Sequence, residues 1–128
     1  MGEKMEHLNN ENKTLHESIL DHLKVPVTYA DADGKILYAN AAAKKRPSKA
    51  PREVGVNIRE CHKDETNKKI AVISQDFRNG RREPHHYVSA AGSRREFVTI
   101  IPVFEGDVYS GCVSHIHLLE LEGTERSF

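Results

Sequence analysis

Cys61-His62 is the pair in this sequence whose types and spacing come closest to chemistry. A thiol beside a cation at the start of a helix is drawn toward thiolate, the nucleophilic form. Adjacent side chains seldom face one another, however, and nucleophilic catalysis also needs an oriented base and an oxyanion site. No third residue here fills either role, so no catalytic residue is assigned and the chain is read as a non-enzyme. Cys61 then becomes a small buried hydrophobe and His62 a helix-entry residue bonded to local backbone. The other histidines pose a metal question. His85 and His86 point to opposite faces of one strand, whereas His115 and His117 share a face of another at a spacing that chelates zinc, copper or nickel once a third ligand approaches. No such ligand is visible. No metal site is assigned, and His115 and His117 are expected at an edge or surface, packed by the N-terminal helix.

The elements that must position these groups are legible from turn and cap chemistry. Asp33-Gly34 closes a hairpin between strand-like residues 25–30 and 35–39, the Gly supplying the positive φ of a two-residue turn. Asn40 caps a short helix, Ala41-Ala42-Ala43-Lys44-Lys45, which stops before Pro47. Residues 46–52, polar with two prolines and no periodicity, read as a loop. Asp64 is the expected N-cap of a long helix in which Ile70, Ile73 and Phe77 recur at helical spacing and Asn79-Gly80 gives the stop. Residues 84–89, 94–104 and 108–119 form a three-stranded antiparallel meander, with Gly92 and Gly106 in its turns.

Composition narrows the function classes. The chain has 128 residues, enough for one small core, and its 19 Lys plus Arg balance 19 Asp plus Glu. There is no basic field and no groove-reading motif, so nucleic acid is not expected as a partner. The N-terminus has no apolar signal stretch, the apolar run 97–104 is far too short to span a bilayer, and Glu6 stands where myristoylation requires Ser or Thr. A cytoplasmic protein without membrane attachment is expected. Cys61 and Cys112 are too few and too far apart for a disulfide framework or a thiolate zinc site.

The order strand, Asp31-Ala32-Asp33-Gly34 turn, a second strand ending Tyr38-Ala39-Asn40, and short helix resembles the opening of a PAS domain. His62-Lys63-Asp64-Glu65 matches, at its first and third positions, the His-Pro-Asp-Asp that commonly precedes the long central helix of that family. Cys61-His62 is similar to the Cys-His pair at this point in one PAS subgroup. The resemblance covers about residues 18–119 and also takes in Gly111. It implies an α+β fold, a five-stranded antiparallel sheet with helices on one face, and a sensory or protein-interaction role in signal transduction. In PAS domains the last strand usually ends in Asp-Ile-Thr, the segment through which output leaves; here the region of Leu118-Leu119-Glu120 replaces it, so output through a separate signalling protein is the expectation.

The resemblance also implies a place for a small ligand, between the inner face of the sheet and the helices. Carrying strand parity over puts His85, Tyr87, Val98, Ile100, Cys112, Ser114 and Ile116 on the inner face, with Ile73 and Phe77 opposite. Such a lining suits a small-molecule site and equally an ordinary filled core. The cofactor is left unknown. A haem, metal or redox sensor using Cys61 and the nearby histidines is the alternative reading. Haem-binding PAS domains generally take their axial histidine from the central helix, where this chain has none, so His62 or His85 would have to serve.

Residues 1–23 are read as an N-terminal amphipathic helix, residues 24–119 as the PAS domain and residues 120–128 as a tail. Placing Met5, Asn12 and Ile19 at heptad position a puts Leu8, Leu15 and His22 at d, either as the seam of a parallel homodimer or as a cap over the chain's own sheet. Pro26 ends that helix.

Overall fold

The computed structural model describes residues 13–91 and 94–119. Helix α1 is Leu15–His22, followed by strands β1, Val27–Asp31, and β2, Ile36–Ala39. Helix α2, Ala41–Lys44, leads through a loop and a 3-10 turn, Ile58–Cys61, into α3, Asp64–Arg78. Strands β3, His85–Ala91, β4, Arg94–Glu105, and β5, Val108–Leu119, complete one antiparallel sheet in the order β2-β1-β5-β4-β3. The expected α+β fold with a five-stranded sheet is the observed one. Among the described residues no helix is long and apolar enough to cross a membrane.

Asn40 explains how the first half holds together. It is fully buried, its Oδ1 accepts from the Ala43 and Val27 backbone amides at 3.0 and 2.9 Å, and its Nδ2 donates to the carbonyls of Leu20 and Val25 at 2.8 and 2.9 Å. One amide thus caps α2, closes the start of β1 and anchors the end of α1, leaving no orphaned polar atom in a dry site. Tyr38 adds a second tie, donating to Asp21 Oδ1 at 2.7 Å.

Three local expectations change. The β1–β2 connection is longer than a two-residue hairpin: Gly34 N–H donates to Asp31 O, Asp31 N–H donates to Lys35 O, and Gly34 sits at φ 90°. Those bonds describe a turn followed by a left-handed Gly, the usual three-residue alternative, stabilised by Asp31 Oδ1 accepting from the Asp33 and Lys35 amides. The cap of α3 is Lys63, without a side-chain bond, and not Asp64; Asp64 lies in the first turn, where its charge complements the helix dipole. Finally, Thr14 is extended at ψ 160° and makes a capping box with Glu17, so α1 begins at Leu15 and no single helix runs through Thr14. The heptad assignments of Met5, Leu8 and Asn12 lie outside the described residues.

Candidate functional site: a polar-tipped cavity under the sheet

β4 and β5 pair Val98 with Ile116 and Ile100 with Ser114, while β1 pairs Thr28 with Ser114 and Ala30 with Cys112. Because alternate residues share a face, this register sets one continuous inner wall across three strands. Between that wall and α3 lies a cavity of about 390 Å³. Tyr87, Val98, Ile100, Cys112, Ser114 and Ile116 all line it, as the parity argument places them.

Ile73, Phe77 and His85 do not line it. Ile73 and Phe77 stand four residues apart on one stripe of α3 and pack into the apolar cluster with Val98, Ile100, Tyr109 and Ile116. The neighbouring stripe, Asn67, Ile70 and Ser74, faces the cavity instead. His85 has the inward parity but sits at the start of β3. Its ring lies against Phe77 at 5.5 Å and its Nε2 meets Asp76 Oδ2 at 2.9 Å.

The polar groups of the wall come largely from residues the sequence argument passed over. Arg46, leaving α2, reaches Glu96 on β4 with two parallel bonds of 2.6 Å each. Glu96 has the same inward parity as Val98 and Ile100, so a buried glutamate on an inner face was itself a signal for a counter-ion in the facing loop. The Arg46 hydrogen bonds hold the Glu96 carboxyl below the usual glutamate range. Arg52 follows six residues later in the same loop and is only 4% exposed. Its Nη2 meets His62 Nε2 at 3.2 Å, and His62 Nδ1 meets Ile58 O at 2.9 Å. Those partners fix the neutral imidazole with its proton on Nδ1, donating to Ile58 and accepting from Arg52. Burial, reinforced by Arg52 and Arg46, lowers the His62 pKa.

Cys61 turns away from this chemistry. It is 4% exposed, packs with Ile36, Ala39 and Ala43, and its thiol is pushed up in pKa by burial. The two halves of the Cys-His pair therefore face different environments: a core cluster and a cavity wall. Cys112 in the wall is likewise raised by burial. On the outer sheet face, His115 and His117 rings stand 5.1 Å apart edge to face, and His86 bonds Thr99 at 3.0 Å. Among the described residues no three His, Cys, Asp or Glu side chains group to hold a metal ion.

A sheet in this order, an inner-face cavity and a long central helix together define a PAS-type fold. The model of the PAS domain family matches residues 16–116, and the chain belongs to that family. Among solved structures, it is similar to the C-terminal domain of a Streptococcus mutans protein, with TM-score 0.66, 21% identity, and coverage of 86% of this chain and 87% of that one. It is also similar to the PAS domain of BvgS from Bordetella pertussis, with TM-score 0.62, 17% identity and coverage of 87% and 89%. A third likeness is the Aer2 receptor of Vibrio cholerae, described as a dual PAS-heme oxygen sensor, with TM-score 0.54, 23% identity and coverage of 75% and 95%. No curated protein matches the sequence.

Proposed function

We propose that this domain is a non-catalytic sensor that binds a small molecule between its sheet and α3 and passes the bound state to a second copy of itself or to a separate signalling protein. The observation that carries the reading is the cavity of about 390 Å³, a volume suited to a small organic ligand, with apolar walls and a few polar groups converging on it. Membership of the PAS family supports a sensory role. The exposed ridge of α1 supports self-association: Leu15, Ile19 and Leu23, spaced four apart, are 72, 52 and 44% exposed.

The rival, a haem, metal or redox sensor using Cys61 and the histidines, has less support. Both ring nitrogens of His62 already have partners, and the Cys61 thiol is buried with its pKa raised. Native mass spectrometry of the full chain, purified without chelator, distinguishes the two, since it reports bound organic molecules, haem, metal and subunit number together. One small organic molecule per chain in a dimer is the expected spectrum. A bound haem or metal ion would instead establish the rival. A bare chain whose melting temperature no metabolite extract raises would refute ligand sensing.

A further inference from the structure

The loop after α2 brings an uncompensated positive charge into the cavity wall. Arg52 is 4% exposed, and its Nε is buried with no hydrogen-bond partner among the described residues. Among the described residues no carboxylate forms an ion pair with it, and the neighbouring Glu96 has both oxygens engaged by Arg46. A guanidinium remains charged at any physiological pH, and a buried charge is expected to be paired. In the same cavity wall Asn67, which like Arg52 contacts His62, lends a second unmet group. Its Nδ2 donates to the carbonyls of Arg59 and His62, at 2.9 and 3.5 Å, while its Oδ1 is buried and without a donor among the described residues.

The rest of the wall restricts what could satisfy both. Ile70, Val98, Ile100 and Ile116 are apolar, so the part of an occupant that lies against them is expected to be apolar as well. Of the other charged lining residues, Arg59 and Arg78 are matched in number by Asp31 and Asp33, so the imbalance comes from Arg46 and Arg52 against Glu96. A planar guanidinium fork matches a planar carboxylate. A phosphate dianion would bring more charge than one free cation can offset, beside the carboxylate of Glu96.

Building on the reading of this cavity as a sensor site, we infer that its ligand is a small organic carboxylate carrying a hydroxyl or amine, with the carboxylate on Arg52 and the donor on Asn67 Oδ1. Arg46 and Glu96 then act as positioning residues: their mutual pairing keeps Glu96 from neutralising Arg52, so that the cation is reserved for the ligand.

The test uses the full chain, isotope-labelled so that the Arg52 Nε–H resonance can be followed, with L-lactate, benzoate and 4-hydroxybenzoate each titrated against its own amide, and inorganic phosphate as a further arm. At least one acid should shift the Arg52 Nε–H signal, raise the melting temperature and bind at least about tenfold more tightly than its amide, as expected of a desolvated charge pair. Arg52→Gln should abolish that preference, while Arg52→Lys retains part of it. The wild-type resonance decides the matter even where a variant folds poorly. Amides binding as tightly as acids would overturn the carboxylate assignment while leaving the sensor reading intact. Binding of phosphate alone would overturn it in favour of an inorganic anion. If no probe binds, and native mass spectrometry recovers a neutral molecule, only this inference fails; if it recovers nothing and no metabolite extract raises the melting temperature, both readings fail and water fills the site.

Discussion

Arg46 and Glu96 show how much one loop residue can decide. Their side chains are 24 and 8% exposed and meet in a two-bond fork, the geometry in which a guanidinium and a carboxylate gain most. Glu96→Gln would leave Arg46 beside Arg52 with no counter-charge, and the expected cost is about 3 kcal/mol in a urea titration. A cost below about 1 kcal/mol would mean that solvent screens the pair as it does on a surface. His62 gives a second prediction, in pH. Burial holds its folded pKa below the ordinary 6.5, so as pH falls through that value the unfolded chain takes up the proton before the folded one does. Its contribution to stability is therefore intact above pH 6.5 and lost below it. His115, lowered first by burial and then by His117, adds a slope of the same sign. Stability should fall between pH 7 and about 5, and His62→Gln, which keeps an acceptor for Arg52, should flatten that decline. An unchanged slope would show that the imidazole is not shielded.

At the scale of elements, Asn40 and Gly111 are the points where a small change propagates. Asn40→Ala would remove a helix cap and leave buried amides of Val27 and Ala43 unbonded, at about 3 kcal/mol from the two effects together. A Cβ on Gly111 would stand 2.3 Å from Ala30 O and 2.7 Å from the Tyr29 hydroxyl, so Gly111→Ala must displace β1 from β5 and should lower the melting temperature sharply. Strand parity is tested by a pair of variants. Ile100, 6% exposed, lines the cavity, whereas Ile101 points to the outer face. Ile100→Trp should fill the cavity and abolish ligand-dependent stabilisation, and Ile101→Trp should leave it. A cost of about 1 to 3 kcal/mol for Ile100→Trp with no ligand effect to lose would mark a core already full. Such alternation is what a sequence displays best, and Val98, Ile100, Cys112, Ser114 and Ile116 could be placed from it. What it does not display is the end of a flexible arm. Arg46 and Arg52 lie in a stretch with two prolines and no period, so nothing local distinguishes them from solvated arginines; only Glu96, polar on an apolar face, hinted that the loop must carry a partner. Ile73 and Phe77 failed as lining residues for a similar reason, because periodicity names the buried face of α3 without telling a packed stripe from the adjoining one that borders a void.

For the whole molecule, the polar and apolar surfaces of α1 set the question of assembly. Its inner side is tied to the domain through Asn40, whose amide donates to the Leu20 carbonyl, and through Tyr38, whose hydroxyl bonds Asp21. The opposite ridge of Leu15, Ile19 and Leu23 is left open, and none of the helix's own residues is buried. Eight residues are too few to be helical alone in water, so α1 owes its order to these ties and to its capping box, and it remains positioned to meet another chain. A ligand in the proposed site would act on the same frame: Thr28 and Ala30 in the cavity wall belong to β1, whose first residue is bonded to Asn40, which in turn holds Leu20 of α1. On the proposed self-association through this ridge, charge on it should separate the subunits without disturbing the fold. Leu15→Glu with Ile19→Glu is expected to give a monomer at micromolar concentration by sedimentation, with the sheet's circular dichroism and the melting transition retained, because neither side chain is part of the core. An unchanged dimer would place the interface elsewhere on the domain. A monomeric wild-type chain would leave the α1 ridge as a contact for a different signalling protein.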